Sequence, residues 1–213
     1  SLSKVRPART AFPTPTILPN NPFTTTVSTT VTVTQPNHNF SSGDAVRFRQ
    51  IKQENIGGVI KAILELETTL NGDITAAVTS LTLTDASAFP SSGYIYVQTK
   101  PTAGSTTETV FSQSEVIKYT GKSTNTLTGL TRGSSAPTYG LTPQASTATA
   151  HNDLDKVFGS YSITPINITV NYPGQPSTKT VSNQYTFVLA SAATSATTAG
   201  GFPSFAGPVG DRP

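Results

Sequence analysis

The sequence predicts an all-β fold with two small sandwich-like or barrel-like domains, one of them inserted in a loop of the other, and with extended N- and C-terminal arms. The 213 residues include 38 Thr and 23 Ser but only 12% charged residues, and β-branched threonine favours strands over helices. Sixteen Gly and 16 Pro divide the chain into short segments, which is typical of sandwiches and barrels. No segment has the periodicity of a long helix.

The domain boundaries follow from one interruption of the chain. The segment VTVTQPNHNFSSG at 31–43 finds its natural continuation only near Gly159, and the stretch between them has its own strands and turns. We therefore predict four regions: a Pro-rich extended arm at 1–26, a discontinuous outer β-domain at 27–67 plus 158–200, an inserted β-domain at 68–157, and a C-terminal tail at 201–213.

The two terminal regions combine proline with apolar side chains. Five prolines lie within 1–26, and proline excludes this arm from a regular helix or a central strand. An extended segment with spaced apolar residues is suited to lie along a partner. We predict a partner-binding role for six apolar residues of the arm and the tail, which are Phe12, Ile17, Leu18, Phe23, Phe202 and Phe205.

Several strands can be predicted from alternation of apolar and polar residues. In the outer domain, 27–34 would place Val27, Val31 and Val33 on one face. The segment IGGVIKAILEL at 56–66 fits either a helical stripe or a turn followed by a strand, and its glycine pair favours the strand. In the insert, the predicted strands are ITAAV, SLTLTD, YIYVQ, a run through EVIKY, and TLTGL.

Few residues could carry catalysis or bind a metal. The chain has no Cys, which excludes disulfides and thiolate metal sites. Of the two histidines, His38 falls in a turn cluster, where a side chain can bond to nearby backbone. His151 could bind a cation together with Asp153 and Asp155, but a structural place at the end of the insert is the favoured alternative.

The remaining carboxylates also fit a structural role. Glu65 and Glu67 would share one face of a strand, where charged residues discourage unwanted strand pairing. No phosphate-binding loop, nucleophile elbow or dinucleotide fingerprint is present. We therefore predict no enzymatic activity, no cofactor and no metal site.

The net charge of +3 is concentrated near the N-terminus, where Lys4, Arg6 and Arg9 precede the first acidic residue, Asp44. A basic arm can touch nucleic acid or an acidic protein surface, or simply be solvated. Three charges without interleaved aromatic residues are too few to predict a nucleic-acid partner. No apolar run of 18 residues and no secretory signal pattern occur, so no membrane partner is predicted either.

Two sets of segments resemble known modules. The insert resembles a β-module that recurs in virion proteins of tailed bacteriophages, through ITAAVTSLTLTDASAFPSSGYIYV, then EVIKYTGKSTNTLTGLTRG, then small residues ending in TATAH. It departs from that pattern by a polar excursion at 98–113, where a tight turn is expected. The outer segments resemble a second phage module through VTVTQPNHNFSSGDAVRF, IGGV, SYSIT and NQYTFVLASAATSATTAGG.

The resemblance covers about 27–201 and implies a structural, non-enzymatic virion protein of the tail, neck, baseplate or fibre-attachment apparatus. It brings no catalytic residues with it. We accordingly expect a virion location after synthesis in the host bacterial cytoplasm, contacts with other phage structural proteins, and a homo-oligomeric ring. Two alternatives stay open: a capsid decoration protein, and a carbohydrate-binding module, although the chain has no Trp and its seven tyrosines lie mainly in strand-like runs.

Overall fold

The computed structural model describes residues 16–19, 22–50, 66–98, 115–135, 145–171, 178–192 and 204–208. All regular secondary structure within these ranges is β-structure, which confirms the predicted fold class. The same ranges hold no helix that is long and apolar enough to cross a membrane.

Fifteen strands are defined in this part of the chain. They are β1 (Thr16–Ile17), β2 (Phe23–Thr24), β3 (Thr30–Thr34), β4 (Ala45–Gln50), β5 (Glu67–Thr69), β6 (Ser80–Thr82), β7 (Gly93–Gln98), β8 (Glu115–Tyr119), β9 (Gly121–Ser123), β10 (Thr126–Thr128), β11 (Lys156–Gly159), β12 (Tyr161–Ser162), β13 (Thr164–Asn171), β14 (Thr178–Val188) and β15 (Ser204–Pro208).

The strands form four antiparallel sheets, which draw on different parts of the chain. Two sheets, ordered β1-β15-β4-β12 and β13-β14-β3-β2, combine strands of the outer segments with β1 and β2 of the arm and β15 of the tail. The other two, β5-β11-β7-β8 and β6-β10-β9, use strands from within 67–159. Each of these described sheets has two open ends, so none closes on itself.

One apolar core connects the two sets of sheets. Buried residues of both sets belong to a single hydrophobic cluster, and Arg47 of β4 places its guanidinium 3.9 Å from the ring centre of Phe158 in β11. Pairing of strands thus separates the outer segments from the insert, whereas packing joins them. The division into two domains stays a prediction.

The outer part of the core is built from alternating strands and an aromatic group. In β3, Val31 and Val33 are buried while the threonines between them are more exposed, as the alternation predicts. Phe187 packs at 4.9 Å from Phe48 and 4.6 Å from Tyr161, measured between ring centres. These contacts pack the two outer sheets against each other.

Two details of the predicted strands are wrong. Val27 does not share the buried face, because β3 begins only at Thr30 and Val27 is 55% exposed with a φ of +55°. The segment ITAAV is not a strand either: Ile74 forms a single bridge with His151, and turns and bends follow. The chain turns at 76–77, and the carbonyl of Thr75 accepts a hydrogen bond from the side chain of Arg132.

The described parts of the two termini are strands of the protein's own sheets. β1 pairs with β15, which places Ile17 opposite Phe205, and β2 pairs with β3. Both β1 and β2 lie at sheet edges, where neighbouring prolines are tolerated. Phe12, Phe202 and the ambiguous segment 56–65 lie outside the described residues.

Candidate functional site

The most strongly built polar site surrounds Glu115, the first residue of β8. Its side chain is 1% exposed, which would be costly for a lone carboxylate. Five donors surround its two oxygens: Nε and Nη2 of Arg132 at 2.7 Å each, the N–H of Gly133 at 3.0 Å, the N–H of Thr149 at 3.1 Å, and Nε2 of His151 at 2.8 Å. We call this set the Glu115 cluster.

Arg132, like Glu115, is buried and forms several hydrogen bonds. Its side chain is 7% exposed, and two parallel N–H donors meet both oxygens of Glu115, the strongest geometry for this pair. Two further donors reach the carbonyl of Thr75 and the carbonyl of Thr149, the latter at 2.6 Å. The arginine therefore ties three separate segments to the start of β8.

The turn after Arg132 needs a glycine at position 133 to contact Glu115. Gly133 has a φ of +59°, and a Cβ there would stand 2.9 Å from the backbone N of Ala148 and from the backbone O of Ser146. Only glycine adopts this conformation without strain. The residue brings its own N–H to Glu115 and allows 146–148 to approach closely.

His151 closes the cluster on the other side. Its side chain is fully buried, and Nε2 donates to Glu115, because an ionised carboxylate can only accept. Nδ1 lies 3.7 Å from Oδ2 of Asp155, which accepts a hydrogen bond from the N–H of Asn152 at 3.0 Å. Backbone bonds between His151 and Ile74, 2.9 and 3.0 Å long, fix the histidine's position in the fold.

The surroundings decide the ionisation state of Glu115. Burial alone would raise the pKa, but the hydrogen bonds from His151, Arg132 and the N–H groups of Thr149 and Gly133 outweigh it and lower the pKa of Glu115 to about 2. A carboxylate with this pKa is a very weak base at neutral pH. Its oxygens are also already occupied by donors, so the cluster fits a structural role and not acid–base catalysis.

The three candidate cation ligands, His151, Asp153 and Asp155, do not all lie together in the structure. His151 and Asp155 are neighbours, whereas Asp153 is exposed and accepts a hydrogen bond from the N–H of Gly72 at 2.7 Å. Within the described ranges, no group of three or more His, Asp or Glu side chains is arranged to hold a metal ion.

His38 occupies the predicted turn. Its Nδ1 accepts from the N–H of Phe40 at 3.0 Å, and its Nε2 therefore donates to the carbonyl of Gln184 at 3.1 Å. The ring also stacks on Phe40 and meets Tyr185 edge-on, with ring centres 5.2 and 5.1 Å apart. Burial lowers the pKa of His38, although the bond to Gln184 partly opposes this.

The other predicted polar residues are peripheral. Glu67 forms an exposed ion pair with Lys156, with Nζ and Oε1 3.3 Å apart, as expected for a charged strand edge. Its predicted neighbour Glu65 lies outside the described residues. The same holds for the basic residues of the arm, Lys4, Arg6 and Arg9.

Four of the six predicted partner-binding residues lie within the described ranges, and they divide into three groups. Leu18 is 2% exposed and belongs to the protein's own core, so little of its surface is left for a partner. Phe23 is half-buried and meets Phe48 edge-on at 5.4 Å between ring centres. Ile17 and Phe205 are opposite each other in the β1–β15 pair, and a partner-binding role for them stays a prediction.

Sequence reasoning missed Glu115 and Arg132 as a buried pair. A signal in the sequence could have indicated the pair. Three of the segments through which the insert resembles a phage module each supply one side chain to the cluster: Glu115 from EVIKYTG, Arg132 from LTRG and His151 from TATAH. The three segments meet at one point in the fold.

Comparison with protein-family models, with curated proteins and with solved structures gives no match for this chain.

Proposed function

We propose that this protein is a non-enzymatic structural component of a tailed-phage particle, located in the tail, neck, baseplate or fibre-attachment apparatus. The observation that carries the proposal is the Glu115 cluster. It joins EVIKYTG, LTRG and TATAH, three of the segments through which the insert resembles a phage virion module, into one buried unit. A shared structural unit is what a recurrent building block of particles requires.

The chemistry of the described residues supports an assembly role. Both oxygens of the buried Glu115 already accept hydrogen bonds, from Arg132 and His151 among others, and Arg132 also donates to the carbonyl of Thr149. The surface strands are rich in uncharged Thr and Ser, which suits rigid contact surfaces better than a reaction centre. The partners that we propose are other phage structural proteins and further copies of the chain, arranged in a ring.

A carbohydrate-binding role is less well supported. Sugar sites commonly use exposed aromatic side chains as platforms. Four of the seven tyrosines, Tyr96, Tyr119, Tyr161 and Tyr185, are at most 1% exposed, and they are therefore core residues. A capsid decoration protein would use the same contact chemistry at a different place in the particle.

The decisive experiment is to locate the chain in purified particles by mass spectrometry and then in a map of the intact particle. We expect copies at the tail, neck or baseplate. A position on the capsid shell would favour the decoration role instead, and absence from gradient-purified particles would refute a virion role of either kind.

A truncation tests the contribution of the arm. Removing residues 1–15 leaves β1 and Leu18 in place, so the melting temperature should stay close to that of the full chain, whereas incorporation into particles should be lost. A matched control is Thr79→Ser, an exposed substitution in a bend of the insert, which should incorporate normally. Normal incorporation of the truncated chain would show that residues 1–15 are not needed for assembly.

A further inference from the structure

The β13–β14 hairpin extends beyond the rest of its sheet. β14 pairs with β3 only over 184–188, whereas its pairing with β13 continues as far as Asn171 opposite Thr178. The register shifts after Ile166, and beyond this point the hairpin is a two-stranded ribbon without a third strand among the described residues. A two-stranded ribbon is only marginally stable in water. An additional strand would therefore stabilise this part of the protein.

After Pro165, the outer edge of β13 lacks the features that usually prevent strand pairing. Among the described strands, β13 pairs with β14 alone. Its eight residues contain no charged side chain, and the single proline, Pro165, stands near the start. Ile168 in the middle of the strand is 52% exposed. Natural edge strands are commonly protected by lysine, by inward-pointing charges or by a covering segment, so a long neutral edge favours pairing with another strand.

The sequence of β13 is complementary to itself in the antiparallel direction. With a two-fold axis beside Ile168, this residue meets its own copy, Ile166 meets Val170, and Asn167 meets Thr169. Within 166–170, apolar residues then oppose apolar residues, polar residues oppose polar ones, and no like charges face each other. An interface in which one patch meets itself is the commonest type in homodimers.

We propose that two copies of this chain pair through β13 in an antiparallel, two-fold arrangement. The pairing joins the two β13-β14-β3-β2 sheets into one continuous sheet of eight strands. The ribbon of each copy then lies in the interior of the sheet instead of at its margin. This interface rests on the hairpin alone and does not depend on a role in a phage particle.

The test is sedimentation equilibrium of the full chain over a range of concentrations. We expect a monomer–dimer equilibrium for the wild type. Ile168→Lys should weaken the dimer at least about tenfold, because two lysines then oppose each other across the pair. The matched control is Val188→Lys: Val188 is 55% exposed and pairs with Thr30 of β3, away from the proposed interface, so its dimer should match the wild type.

A charge exchange separates the proposed contact from damage to the fold. Ile168→Glu should also be monomeric by itself, whereas an equimolar mixture with Ile168→Lys should restore a heterodimer, because opposite charges then face each other. Melting curves of each variant establish that the chain is folded. A wild type that is monomeric throughout, a dimer that both Ile168 variants retain, or folded variants whose mixture stays monomeric would each overturn the proposal.

Discussion

Tyr185 donates its hydroxyl hydrogen to Oε1 of Gln35 at 3.0 Å, although 150 residues separate the two side chains. Tyr185 is fully buried and Gln35 is 6% exposed. Next to this bond, the N–H of Gln35 donates to the carbonyl of Asn183 at 2.8 Å. The two outer segments, one on each side of the predicted insert, are thus joined by a buried polar contact as well as by strand pairing.

We expect Tyr185→Phe to lower the free energy of unfolding by about 1–3 kcal/mol, because it removes the donor to the buried oxygen of Gln35. The double variant with Gln35→Leu should lose less unfolding free energy than the two single variants lose together, since both partners are then apolar. Urea unfolding of the four proteins measures this coupling. Strictly additive costs would show that the bond contributes nothing.

Glu115→Gln should lower the free energy of unfolding by about 3–5 kcal/mol, because it leaves the buried guanidinium of Arg132 without its counter-charge. The matched control is Glu67→Gln, which removes one member of an exposed ion pair and should cost less than about 1 kcal/mol. Denaturant unfolding at neutral pH measures both values. Equal costs for the two variants would contradict a stabilising role of the Glu115 cluster.

The same carboxylate should make stability depend on pH under acidic conditions. The pKa of Glu115 is about 2 in the folded chain, against an ordinary value of 4.5, so the unfolded chain binds more protons between these values. Stability is therefore fully present above pH 4.5 and is lost as the pH falls toward 2, by on the order of 3 kcal/mol. The difference in unfolding free energy between wild type and Glu115→Gln should shrink over this window, and a constant difference would be inconsistent with the lowered pKa.

His38 should affect stability at a higher pH. Its pKa is lowered by burial from an ordinary value of 6.5, so the unfolded chain takes up a proton first as the pH falls. Stability is complete above about pH 6.5 and decreases below it, by at most about 1.4 kcal/mol per pH unit. His38→Gln should reduce this slope between pH 6.5 and 5 in unfolding experiments. An unchanged slope would assign the pH dependence to another group.

Leu18→Ala should lower the free energy of unfolding of the isolated protein by about 2–5 kcal/mol, because it leaves a cavity in the core. The matched control is Leu154→Ala, since Leu154 is 53% exposed and loses little on truncation. Thermal melting distinguishes the two. If both variants melted like the wild type, Leu18 would be free for contact with a partner, as the sequence alone indicated.

Val27→Gly should stabilise the protein by about 1 kcal/mol. Val27 has a φ of +55° and is 55% exposed, so a β-branched side chain is strained there and gives up few contacts when removed. Val188→Gly is the control: Val188 is equally exposed but lies in a strand, where glycine is unfavourable. A loss of stability in both variants would show that the strain at Val27 is negligible.

The all-β class could be predicted from the sequence because it depends on local chemistry. Alternation of Val and Thr in β3 decides which side chains face the core, and a strand of this kind is recognisable without its partners. Proline likewise excludes the arm from the central strands of a sheet, whichever sheet it joins. In the structure, β1 and β2 are edge strands. The turn role of His38 is also local, since Phe40 is only two residues away.

Only the tertiary structure decided the roles of Glu115, Arg132 and Leu18. The donors to Glu115 lie 17 to 36 residues away, and burial of a charge depends on whether such distant groups converge. For Leu18 the sequence predicts contact with a partner, since an arm rich in proline gives no periodicity that would reveal a buried side, whereas the structure packs this residue into the protein's own core. The sequence thus determined what each segment can form, whereas long-range packing determined which polar groups are satisfied and which apolar ones are buried.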